Sequence, residues 1–138
     1  MFRAMLLVAT LLGAVSAPAF AAEMVDKAPP PAPYQKVSAL VKLPDFLPGM
    51  GTLYVDPKTL PAGPFLAYDH SGRLVSTLYM IPLKDMNAHN KFEDLASPGG
   101  AVDHIELYYN AGHPGVPEPH YHIVLWHVSK ADEASVEK

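Results

Sequence analysis

Two pairs of metal-capable side chains stand at strand spacing near the C-terminus: His104-Ile105-Glu106 and His120-Tyr121-His122, with His113 in the stretch between them. Residues two apart on a β-strand point to one face, about 6–7 Å from each other. Each pair therefore presents two donor groups on one side. Neutral imidazole binds zinc, copper, iron, nickel or manganese, and a carboxylate adds compensating charge. The chain has no cysteine, so thiolate is excluded as a ligand and disulfides as staples. A divalent ion held by His104, Glu106, His120 and His122, with His113 as a possible fifth ligand from its loop, is the chemistry these spacings favour. A filled four-ligand zinc site points to storage or structure. A metal of higher coordination number leaves room for substrate, with Tyr108 or His113 beside it. Asp103 points to the opposite face and is expected to act on a ligand only through the backbone.

The elements that must position these groups are two neighbouring strands. The alternate positions Ile105, Leu107 and Tyr109, and Tyr121, Ile123 and Leu125, are apolar or aromatic. Burying both sets on one side of an antiparallel pair requires paired residue numbers to sum to an even value. The same parity brings His104, Glu106, His120 and His122 to the other side. A sum of 226 places His104 opposite His122 and Glu106 opposite His120. Val124 and Trp126 continue the histidine face, which makes it a partly walled pocket. His127 falls on the apolar face as a rim or core histidine, His70 in a turn, and His89 on an exposed helix surface. The methionines lack M-x-M clustering and are expected to pack in the core. The competing view is a plain polar sheet face on which Glu106 pairs with an imidazolium.

Upstream, short apolar segments alternate with Pro and Gly: Val37–Leu43, Gly51–Val55, Phe65–Tyr68 and Leu74–Ile81. The 15 prolines limit long helices. Asp69-His70-Ser71-Gly72 reads as the turn of a hairpin joining Phe65–Tyr68 to Leu74–Ile81. One helix is expected over Leu83–Ala96, ended by Ser97-Pro98-Gly99-Gly100. The fold class is mainly β: a small antiparallel β-sandwich or open barrel with one short α-helix.

The N-terminus has the form of a secretion signal. Arg3, the apolar run Met5–Val15 and Ala19-Phe20-Ala21 predict cleavage after Ala21. The organisation expected is a signal peptide over 1–21, a Pro-rich tether over 22–36, one β-rich domain over 37–130 and a polar tail over 131–138. The mature protein is then periplasmic or secreted, without stable membrane insertion. The whole chain carries 10 basic and 14 acidic residues, a formal net charge of −4, with no basic cluster. That argues against nucleic acid and anionic lipid surfaces as partners. No nucleophile elbow, phosphate-binding glycine loop or cysteine nucleophile is present.

The His-x-Glu pair, the Gly-His-Pro loop and Pro-His-aromatic leading into a strand resemble a family of uncharacterised exported bacterial proteins carrying a domain of unknown function. Leu78-Tyr79-Met80-Ile81 ahead of a short helix fits the same pattern, and the resemblance spans about Gly51 to Val128. It implies a compact β-rich exported domain with a histidine cluster, associating with itself as a homo-oligomer, and no assigned activity. The ligand set is also similar to that of cupins. Here His-x-Glu precedes His-x-His and the cupin glycine framework is missing, so that likeness is analogy alone. Three functions follow: exported divalent metal binding, a small cupin-like metalloenzyme using the same site, or a non-catalytic oligomeric or stress-related interaction module with structural or pH-sensing histidines.

Overall fold

A computed structural model describes residues 24–138. The proposed signal and its cleavage point after Ala21 lie outside the described residues. Six antiparallel strands form one sheet: β1 (Gln35–Lys36), β2 (Thr52–Val55), β3 (Phe65–Tyr68), β4 (Leu74–Pro82), β5 (His104–Asn110) and β6 (His120–Trp126). Their spatial order is β1-β2-β3-β4-β6-β5, so β6 folds back between β4 and β5 and leaves β5 at an edge. Two short helices are present among the described residues, α1 (Val37–Leu40) and α2 (Leu83–Asn87), with single 3₁₀ turns at Pro57–Thr59 and Asp132–Val136. The mainly β expectation holds, as an open sheet that does not close into a barrel. No helix among the described residues is long and apolar enough to cross a membrane.

The β3–β4 hairpin forms where the sequence places it. Gly72 takes φ +77°, and the Asp69 carboxylate accepts from the backbone N–H groups of Ser71 and Arg73, closing the turn. All nine residues of β4 are buried, because both faces of the sheet are covered there. On the inner face Leu53, Val55, Phe65, Leu78, Met80, Val124 and Trp126 form the main core, roofed by the segment running from α1 through Met50. On the outer face Leu66, Tyr68 and Leu74 pack with Val25.

Three expectations are corrected. Residues 24–36 are not a free spacer: Ala28 N–H donates to Gly72 O, Leu74 N–H to Asp26 O, and the Tyr68 hydroxyl to Val25 O. Val25 and Tyr34 supply the apolar anchors that a Pro-rich reading overlooks. The segment from Val37 is a helical turn and loop over the core rather than a strand, since its apolar residues face a roofed cavity instead of a neighbouring strand. The second helix stops at Asn87, and His89 then takes φ +59°, which breaks helical geometry. The apolar residues of the expected span, Met86, Phe92 and Leu95, are exposed, so no burial extends the helix.

Candidate metal centre

The parity of the strand pair is as expected, but both the register and the buried side differ from expectation. β5 and β6 pair with His104 opposite Trp126, Glu106 opposite Val124, Tyr108 opposite His122 and Asn110 opposite His120. The residue numbers sum to an even value, so both donor pairs do share a face. The strands are slipped by four residues from the expected alignment, which moves His104 and Glu106 toward the far end of the pair. The four ligands predicted together are therefore divided into two groups.

The sides are also exchanged. His120 and His122 are buried at 0% and 2% exposure, whereas Ile105 and Leu107 stand at 62% and 63%. β6 lies against β4, whose inner-face residues Leu78 and Met80 oppose Val124 and His122. The histidine face is thus continuous with the core, and Val124 and Trp126 commit it to the inside. The more apolar set on β5 sits at the sheet edge, where no element among the described residues covers it.

The first group is His113, His120 and His122, whose ligand atoms lie within 4.8 Å of one another. His113 opens a turn in which its carbonyl and N–H bond reciprocally with those of Val116. Pro114 and Gly115 hold the central positions, and Gly115 adopts φ +90°, the geometry of a type II turn. Buried Val116 anchors the turn and aims His113 back at β6. His120 Nε2 is 2.9 Å from His122 Nε2 and 3.2 Å from His113 Nε2. Nitrogens around a tetrahedral zinc with bonds of about 2.0–2.1 Å stand about 3.3 Å apart.

The outer nitrogens settle the tautomers. His120 Nδ1 is 2.7 Å from Glu118 O, and His113 Nδ1 is 3.0 Å from Pro114 O. A carbonyl only accepts, so each Nδ1 carries the proton and donates it. In the neutral rings this leaves the Nε2 lone pairs of both histidines facing inward. His122 Nδ1 meets the Tyr108 hydroxyl at 3.1 Å. Burial, and then the neighbouring His120 and His113, depress the His122 pKa to about 4, so this imidazole is neutral at ordinary pH. Three such nitrogens can hold a cation, and in its absence a His122 Nε2–H can donate to His120 Nε2 while the Tyr108 hydroxyl donates to His122 Nδ1.

The second group, His104, Glu106 and Glu133, is also close enough for a shared ion, but its donors are already engaged. His104 Nδ1 donates to Asp103 and its Nε2 to Glu133. The Asp103 carboxylate, followed by Glu133, raises the His104 pKa and favours the imidazolium, which has no lone pair to offer. Lys130 bridges Glu106 and Glu133 and holds the Glu106 carboxyl below its usual range. This is an ion network of two cations and three carboxylates that ties the C-terminal turn to β5.

With this geometry in place, comparison with known proteins locates the chain. The family model described as TTHB210-like, hypothetical protein TTHB210, matches residues 69–109. The crystal structure of hypothetical protein TTHB210 from Thermus thermophilus is 48% identical, with a TM-score of 0.61, over 69% of this chain and 93% of that one. The chain belongs to the TTHB210-like family. No match was found among curated proteins. The segment matched by the TTHB210-like model ends before His113, and the name carries no activity.

Of the residues singled out from sequence in this TTHB210-like chain, His120, His122 and His113 come together, and His104 and Glu106 do not join them. Sequence reasoning misses Glu133 and Lys130, because their contacts depend on how the C-terminal turn folds back. His127 is a structural link, bonded through Nε2 to the Thr77 hydroxyl and through Nδ1 to Ala101 O. His70 stacks on Phe46 at the β3–β4 turn.

Proposed function

We propose that this is an exported divalent-metal-binding protein whose site is His113, His120 and His122. The observation that carries the proposal is the fixed tautomer of His113 and His120. Two backbone carbonyls take the Nδ1 protons and turn the Nε2 lone pairs on a common point. Three imidazoles without a carboxylate suit zinc or copper, and iron next, better than manganese. Glu106 is replaced in the ligand set by His113, since its carboxylate is held by Lys130. Export to the periplasm or cell surface is supported by the N-terminal sequence pattern. The uncovered apolar strip of Ile105, Leu107 and Tyr109 on an edge strand suits association with a second copy.

A second reading, a small metalloenzyme at the same site, is favoured by one specific feature. Three protein ligands leave a coordination position open, as in catalytic zinc centres. That position adjoins a cavity lined in part by His113, His122 and Tyr108.

The test is titration of tag-free, metal-stripped mature protein with Zn(II) and Co(II), followed by calorimetry and visible absorption. About one equivalent bound, with tetrahedral or five-coordinate cobalt bands, supports the proposal. Binding below about 0.2 equivalents overturns it. Exchangeable water on the bound ion favours the metalloenzyme, and a closed ligand sphere favours storage or structure.

A further inference from the structure

The cavity beside the histidines has a volume of about 470 Å³ and lies between the sheet and the segment that roofs it. Its walls are aliphatic: Val37, Val41, Leu47, Met50, Leu53 and Met80 are representative. Among the described residues, no Asp, Glu, Lys or Arg lines it. Its polar groups gather around His113, His122, Tyr108 and Asn110. A pocket of this size is in the range that holds small organic ligands, and an apolar body with few fixed polar groups is their usual environment.

The charge balance of the metal site identifies the missing partner. Three neutral imidazoles around a divalent ion leave two positive charges in a buried site. Burying such charge without a counter-ion is costly. The nearby protein carboxylates are committed elsewhere. Glu118 reaches His120 only through its carbonyl, while its carboxylate pairs with Lys84. Glu106 pairs with Lys130. The counter-ion therefore comes from solution, as hydroxide or as the head of a ligand, and the apolar space adjoining the open position favours a head group that carries an aliphatic tail.

We propose that the site binds an aliphatic monocarboxylate, its carboxylate on the open metal position and its alkyl chain in the cavity. The Tyr108 hydroxyl, beside His122, is placed to donate to the second carboxylate oxygen. With a methylene roughly the size of a water's share of liquid volume, about 30 Å³, the cavity volume of about 470 Å³ bounds the chain at about fifteen carbons, so acids up to decanoate fit within it. This inference rests on metal occupancy of the three histidines.

The experiment uses mature protein on which one equivalent of Co(II) or Zn(II) has first been verified, so failure of the metal site is seen before any carboxylate is added. Acetate, butyrate, hexanoate, octanoate and decanoate are then titrated below their micelle concentrations, with heat and the cobalt spectrum as readouts. Affinity is expected to rise by up to about fourfold per methylene across the series. Each acid should shift the cobalt bands. Decyltrimethylammonium, with the same tail and the opposite charge, should leave them unchanged. Metal-free protein should bind decanoate at least tenfold more weakly. Leu47→Trp, which fills the cavity from the segment that roofs it, should keep the metal and lose the chain-length dependence; Leu60→Trp, at a more exposed position of the lining, serves if that variant does not fold. Equal affinity for acetate and decanoate on metal-loaded protein overturns the proposal. So does decanoate binding that is independent of metal or leaves the cobalt spectrum unmoved.

Discussion

Two clusters of titratable side chains share one face of the same β5–β6 pair, and they resolve their charge in opposite ways. At the His104 end, two carboxylates accept from a single imidazole and Lys130 bridges Glu106 and Glu133. Every donor is matched within the protein. At the His120 end, backbone carbonyls take the outer protons and three ring nitrogens are left facing each other. Proximity is common to both, so proximity alone does not define a metal site. What separates them is where the protons go.

The largest expected effect tests that separation directly. His120→Ala or His122→Ala should lower Zn(II) affinity by more than about 100-fold, the effect of losing one of three ligands, whereas His104→Ala should change it by less than about threefold. Competitive titration against a chromophoric chelator measures both. Comparable losses in the two sets would mean that the clusters act as one site.

Acid should divide the clusters next. The folded-state pKa of His122 is depressed to about 4 from an ordinary value of 6.5. Between those values the unfolded chain binds a proton that the folded one refuses, so stability falls as pH drops from 6.5 to 4 and is retained above 6.5. For metal-free protein the loss is about 3 kcal/mol in denaturant unfolding, from about 1.36 kcal/mol per pKa unit. His122→Phe should flatten that slope. His104 has a raised pKa, so its contribution is present below 6.5 and is lost as pH rises through its folded value.

A smaller effect is expected at the turn that delivers His113. Gly115 sits at φ +90°, and a Cβ there would meet Val41 at 3.3 Å. Gly115→Ala should destabilise the fold by about 1–2 kcal/mol in denaturant unfolding and weaken metal binding, while leaving the His104 network intact. The smallest effect belongs to the ion network. Lys130 is well exposed, so Lys130→Ala should cost less than about 1 kcal/mol and leave metal affinity unchanged.

Much of this arrangement is legible in the sequence, and the parts that are not share a cause. The β3–β4 hairpin is fixed by local turn chemistry at Asp69 and Gly72. The shared face of the two donor pairs follows from alternation, which constrains parity whatever the register. Register itself depends on the loop from Ala111 to Pro119, and the His113 turn within it sets a slip of four residues that no pattern on the strands encodes. The buried side is not legible because β5 looks as apolar as a core strand. It is an edge strand, and what decides the side is β4 covering β6 from the other direction. Glu133 and the roof over the cavity depend on segments whose placement comes from tertiary packing alone.

The central claim is that the outward donation of the Nδ1 protons makes the His120 end a metal ligand set. ¹⁵N NMR of the imidazoles during Zn(II) titration of metal-free protein tests it most directly. The account predicts Nδ1–H tautomers for His113 and His120 before metal, and coordination shifts at Nε2 of His113, His120 and His122 at one equivalent, with His104 unmoved. Nε2-protonated His113 and His120, or a zinc-induced shift centred on His104, would contradict it.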